Sequence, residues 1–206
     1  MNTPQSLTFA ALDGLAFAAE RSRLNEREKR PALFAAALGP LLEWTRLSDD
    51  GLLPFPENAP WLSLDEAAPL IAAIRSSRRQ WICPATRAAG VSRTPPVWPG
   101  DDTQWVGFGL AAQKAATAAG FHRQIAAQLV GAIEEMVSNI YEHSGAPASG
   151  IVAFRAGGDG FEFVVADSGV GVLESLRSCP DYQDLADQPG GGPNLARALE
   201  RPAGPL

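Results

Sequence analysis

Cysteine is nearly absent from this 206-residue chain: only Cys83 and Cys179 occur, far apart and outside any Cys-x-x-Cys spacing. That excludes a disulfide framework and a structural zinc site of cysteine type, and makes a reducing cytoplasm the expected setting. Long apolar runs are missing too. No stretch reaches the roughly 18 residues a membrane span needs, and no basic start leads into an apolar run of signal-peptide type. Positive charge is also in short supply. With 17 Lys and Arg against 23 Asp and Glu, the net charge is −6, which argues against a nucleic-acid backbone as main partner. What remains is 46% hydrophobic and 19% charged, a globular composition of a length that suits one or two domains.

The two halves differ in texture. "SLTFAALDGLAFAAE" and "EREKRPALFAAALGPLLEWTRL" within residues 7–47 carry apolar positions three and four apart and predict helices, with Pro31 at a helix start. A third helix is predicted at "SLDEAAPLIAAIRSS", where Ser63 and Glu66 have capping-box spacing. Prolines, glycines and arginines then interrupt the pattern over "CPATRAAGVSRTPPVWPGDD", read as a linker or irregular loop at residues 83–102. Residues 1–82 are thus expected to form a mainly helical region without recognisable chemistry, and 103–206 a second unit.

In that second unit "TQWVGFGL" predicts a short strand and "LAAQKAATAAG" a helix stopped by Gly120. "FHRQIAAQLVGAIEEMVSNIYEHSG" predicts one long amphipathic helix ended by Gly145. "GIVAFRAG" and "GFEFVVAD" read as two strands of a hairpin turning at Gly157–Gly160, and "LESLRS" as a short helix. The expected fold class is α+β, with the long helix on a small mixed or antiparallel sheet.

On the long helix, Ile125, Leu129, Ile133, Val137 and Ile140 line one stripe. Glu135, Asn139 and His143, at steps of four, fall in an arc of about 80° beside it. One reading is a solvated flank. The other is a nucleotide site, in which a carboxylate polarises water, an amide oxygen ligates Mg²⁺ and an imidazole approaches phosphate. The second element is "FEFVVADSGVGV", where Asp167 stands at a strand end before Gly169 and Gly171. The aspartate can accept from an exocyclic amine, and the glycines let backbone pass close to a flat ring. It is not a dinucleotide fingerprint, because Glu174 occupies the place of the third glycine. Alone, it is also compatible with a plain turn. His122 reads as a helix-start residue, and Trp98 and Trp105 as packing residues.

Taken together and in this order, the two elements resemble the GHKL ATPase superfamily, which includes type II topoisomerases, mismatch-repair ATPases, sensor histidine kinases and anti-sigma serine kinases. Glu135-x-x-x-Asn139-x-x-x-His143 looks like its N-box and Asp167-Ser-Gly169-Val-Gly171 like its G1 box; "Asn-x-x-Glu-His-Ser" is closest to the anti-sigma type. The resemblance covers residues 103–187. It implies a two-layer α/β sandwich of Bergerat type and an ATP- and Mg²⁺-dependent kinase or anti-sigma protein of bacterial-type signalling, with a protein partner. In those terms Asn139 holds Mg²⁺, Glu135 orients the attacking water or acceptor hydroxyl, His143 sits near the phosphates, Asp167 takes the adenine amine, and Gly169 and Gly171 flank the base.

The chain departs from the family after Gly171. "GGGPNL", Gly190–Leu195, lacks the Gly-x-Gly-x-Gly-Leu pattern of an ATP lid, and Pro193 removes an N–H that a phosphate cradle would want. The expectation is therefore an incomplete domain, truncated or diverged after about Asp187. Its rivals to an active ATPase are a non-catalytic regulatory or interaction module and an inactive truncated product.

Overall fold

The computed structural model describes residues 5–21, 33–35, 37–54, 64–95, 103–158 and 160–177. Pro31, Ser63, Trp98, Cys179, Asp187 and Gly190–Leu195 lie outside them.

The chain is α+β. It opens with β1 (Gln5–Leu7), α1 (Phe9–Glu20), β2 (Leu33–Ala35), α2 (Leu38–Asp49) and α3 (Leu64–Arg75). Then come β3 (Gln80–Ile82), β4 (Ala89–Arg93), α4 (Thr103–Ala118), α5 (Arg123–His143), β5 (Ile151–Gly157), β6 (Gly160–Ala166) and α6 (Gly171–Arg177). Strands β3-β4-β5-β6 lie in that order in one antiparallel sheet, while β1 and β2 form a small parallel pair.

Period-two alternation sets the two faces of the sheet. On β5, Ile151 and Ala153 join one core with Leu41, Leu70 and Ile74 of α2 and α3, whereas Val152 and Phe154 join another with Phe108, Ile133 and Val137 of α4 and α5. Both faces of these strands are apolar, so both need cover. The sheet therefore lies between two helical layers, and the arrangement has three layers where the sequence predicts two. Residues before position 83 belong to that packing.

Three local expectations are corrected. Residues Leu33–Ala35 form β2 rather than helix, and α2 starts at Leu38. Pro40 explains this: inside a longer helix it would break an i→i−4 bond, but in the first turn of α2 it breaks none.

The stretch read as a linker contains β4, an inner strand paired with both β3 and β5. Its weak strand composition has a packing cause. A Cβ at Gly90 would lie 2.6 Å from the Phe154 ring and 3.3 Å from that of Phe108, so only glycine lets the rings close over this strand.

"TQWVGFGL" is the first half of α4, not a strand. Phe108, Ala111, Ala112, Ala115 and Ala116 are buried at helical spacing, and Trp105 stacks on Phe108 with centroids 5.7 Å apart. A Cβ at Gly109 would already stand 3.3 Å from Val130 of α5, so this glycine, which looks like a helix breaker, serves close helix packing.

The long helix is as expected from Arg123 to His143, with Gly145 at φ 68° just beyond it and Gly120 at φ 97° after α4. His122 is its N-cap, Nδ1 accepting from the Gln124 N–H at 3.3 Å. The stripe is shifted at its start: Ile125 is exposed and Ala126 is buried in its place, while Ile133, Val137 and Ile140 are buried as expected. No helix among the described residues is long and apolar enough to cross a membrane.

Candidate functional site

The C-terminal end of α5 and the end of β6 meet because the loop after β6 is stitched to the residues that follow the helix. The Val170 N–H donates to the Ser144 carbonyl at 2.9 Å, and the Ser168 N–H donates to Ser149 Oγ at 2.9 Å. Gly169 packs directly on Ser144: a Cβ there would fall 2.6 Å from the Ser144 Cα. Asp167 closes its own loop by accepting the Gly169 N–H on Oδ1 at 2.7 Å, an Asx turn. Gly171 then takes φ 78°, a left-handed conformation suited to glycine, and starts α6.

Between these elements lies a cleft of about 460 Å³. Asn139 and His143 of α5, Asp167 of the β6 end and Gly171 line it together. Its apolar wall includes Met136, Ile140, Val165 and Leu176. The volume falls in the range of small-molecule sites, which pair an apolar lining with a few polar groups. Asn139, His143 and Asp167 are all exposed to solvent, so the cleft is open to a ligand.

Two of the expected site residues stand apart from this lining. Glu135 is exposed on α5, one turn before Asn139 and so about 6 Å away along the axis. Gly169 is spent on the contact with Ser144. His143 has a carboxylate beside it, with Nε2 3.7 Å from Glu142 Oε2, and Ser138 Oγ donates to the other oxygen of Glu142 at 3.0 Å. Behind the site, Tyr141 donates its hydroxyl to the Pro95 carbonyl at 2.8 Å, and burial pushes its pKa above the ordinary value.

Met136, Val165, Ser175 and Leu176 also line the cleft, and sequence reasoning did not single them out. Val165 was within reach, since alternation puts it on the same face as Phe161 and Phe163, toward α5. Met136 is 43% exposed between Glu135 and Asn139, but a single exposed apolar side chain is common on any surface and by itself gives no signal. For Ser175 and Leu176 there is no sequence signal, because the direction of α6 depends on the Gly171 turn.

Among the described residues no three His, Cys, Asp or Glu side chains gather as a metal cage. The cleft lining offers one amide oxygen, that of Asn139, and one carboxylate, that of Asp167, oxygen donors of the kind a hard cation accepts. Comparison of the chain with protein-family models, with curated proteins and with solved structures found no match.

Proposed function

We propose that this chain binds an adenine nucleotide in the cleft between α5 and the β6 end, as an ATP-binding protein of GHKL type with a Bergerat-like core. The observation that carries the reading is the convergence of Asn139, His143, Asp167 and Gly171, from two separate sequence motifs, on one open cleft with an apolar wall. One carboxylate oxygen of Asp167 is held by the Gly169 N–H, which fixes the side chain and leaves the other to accept from the adenine exocyclic amine. Met136, Ile140, Val165 and Leu176 supply the apolar surface a purine ring needs. Asn139 would hold Mg²⁺, which when bound neutralises phosphate charge. His143 stands next along the same helix, toward the phosphates.

A second observation favours binding without efficient turnover, in a regulatory or interaction role within a signalling pathway. Glu135, the residue assigned to orient a water or hydroxyl, is not part of the cleft lining. Glu135 takes part in acid–base catalysis only if nucleotide binding brings it within hydrogen-bond reach of the reacting atoms.

Calorimetric titration of ATP with Mg²⁺, and again with EDTA, tests the reading on wild type and Asn139→Ala. The expected result is weak binding, in the high micromolar range or above, that Mg²⁺ strengthens in wild type and not in the variant. Absence of any ATP binding, or an equal Mg²⁺ effect in both proteins, refutes it.

A further inference from the structure

At the opposite end of the strands is a second groove, about 370 Å³, between the β3–β4 turn, the C-terminal half of α4 and the β5–β6 turn. Six residue steps along β6, roughly 20 Å, separate it from the Asp167 cleft. Its chemistry is different. The floor is alanine and glycine, including Ala111, Ala115 and Gly157, and the rim carries two cations, Arg87 and Lys114. Both cations are exposed, and neither has an ion-pair partner among the described residues, in a chain of net charge −6. Thr86, the one neutral polar side chain there, already donates its hydroxyl to buried Glu66.

Arg87 stands at φ 55°, the single positive-φ residue other than glycine among those described. Left-handed backbone is costly for a long side chain, and such outliers cluster where the side chain has a use. The turn places Arg87 in the groove lining at a position where glycine would fold more easily.

We propose that this groove docks an acidic amphipathic segment of a protein partner. Apolar side chains of the segment lie on the small-residue floor, where nothing projects to keep them away. Its carboxylates meet Arg87 and Lys114 at the rim, the guanidinium in a two-pronged geometry. A compact phosphate-type ligand fits less well, because it would need several polar groups converging from the floor. The proposal is independent of nucleotide binding, since the two sites share no residue.

Panning a phage-displayed random peptide library on the full chain tests this. The expected winners carry Asp or Glu beside apolar residues spaced three and four apart. Their synthetic copies, measured by fluorescence anisotropy, bind the double variant Arg87→Glu/Lys114→Glu at least about tenfold more weakly, since charge reversal replaces attraction by repulsion. Arg87→Gly alone weakens binding while leaving the melting temperature unchanged or raised. A purely structural arginine would not give that pair of results, and this variant decides the matter if the double variant fails to fold. Asp167→Asn leaves peptide binding as it is. No enrichment, winners without acidic bias, or undiminished binding by the Arg87 and Lys114 variants overturns the proposal. So does loss of binding in Asp167→Asn, which places the peptide in the other cleft, or complete competition by millimolar inorganic pyrophosphate, which makes the groove a small-anion site.

Discussion

Gly169 rests on Ser144 so closely that a Cβ on the glycine would lie 2.6 Å from the serine Cα and nearer still to its carbonyl oxygen. This contact joins the loop after β6 to the end of α5, so the two motifs share one cleft because position 169 lacks a side chain. Gly169→Ala is expected to destabilise the fold by about 1–3 kcal/mol, the usual cost of overpacking against backbone that cannot retreat. Gly157→Ala, where a Cβ meets nothing within 4 Å, is the control and stays near wild type. Urea unfolding of both variants checks this, and equal midpoints would show that the loop gives way freely.

Asp167→Asn is expected to weaken ATP binding about tenfold or more, since a hydrogen bond to a charged group contributes roughly 1.5–3 kcal/mol. The amide oxygen can still accept the Gly169 N–H and keep the turn, which leaves an NH₂ facing the base amine. Melting temperature therefore stays close to wild type while affinity falls. Calorimetry beside a thermal melt separates the two effects.

Steady-state ATP hydrolysis is expected to be barely above background. Glu135→Ala leaves that residual rate unchanged, because Glu135 lies outside the cleft lining. Robust turnover that vanishes in the variant would mean that Glu135 reaches the phosphates when nucleotide is bound.

Glu162 bridges the two ends of the sequence. Its Oε2 accepts from Arg155 Nε at 2.7 Å across the β5–β6 pair, and its Oε1 accepts the Leu38 N–H at 2.6 Å, capping α2 where Ala37 offers no side-chain cap. A carboxylate at a helix N-terminus also meets the positive end of the dipole. Glu162→Ala should cost about 1–2 kcal/mol, discounted for partial exposure. Glu162→Gln, which keeps the acceptor to Leu38, should recover part of that loss in the same denaturation assay.

The sequence revealed α5, the β5–β6 hairpin and α6 because each follows from local rules: helical periodicity closed by Gly145, a glycine turn between alternating strands, and a short helix after Gly171. Asn139, His143 and Asp167 were legible for the same reason. What was hidden depends on distant partners. Gly90 reads as a strand breaker until Phe154 is known to cover it, and Gly109 reads as a helix breaker until Val130 is known to face it. The start of α2, set locally by Pro40, is capped by Glu162, whose carboxylate comes from 124 residues further along the chain. Gly169, expected beside a base, has a packing role against Ser144 that the sequence does not show.

We propose above that a nucleotide occupies the cleft at the C-terminal end of α5. The most direct test is an amide chemical-shift titration of the ¹⁵N-labelled chain with MgATP. The largest perturbations are expected at Met136, Asn139, Ser144, Val165, Asp167 and Gly171, with the amides of Arg87, Lys114 and Gly157 unmoved. Perturbations confined to that second group, or no perturbation at millimolar nucleotide, would contradict it.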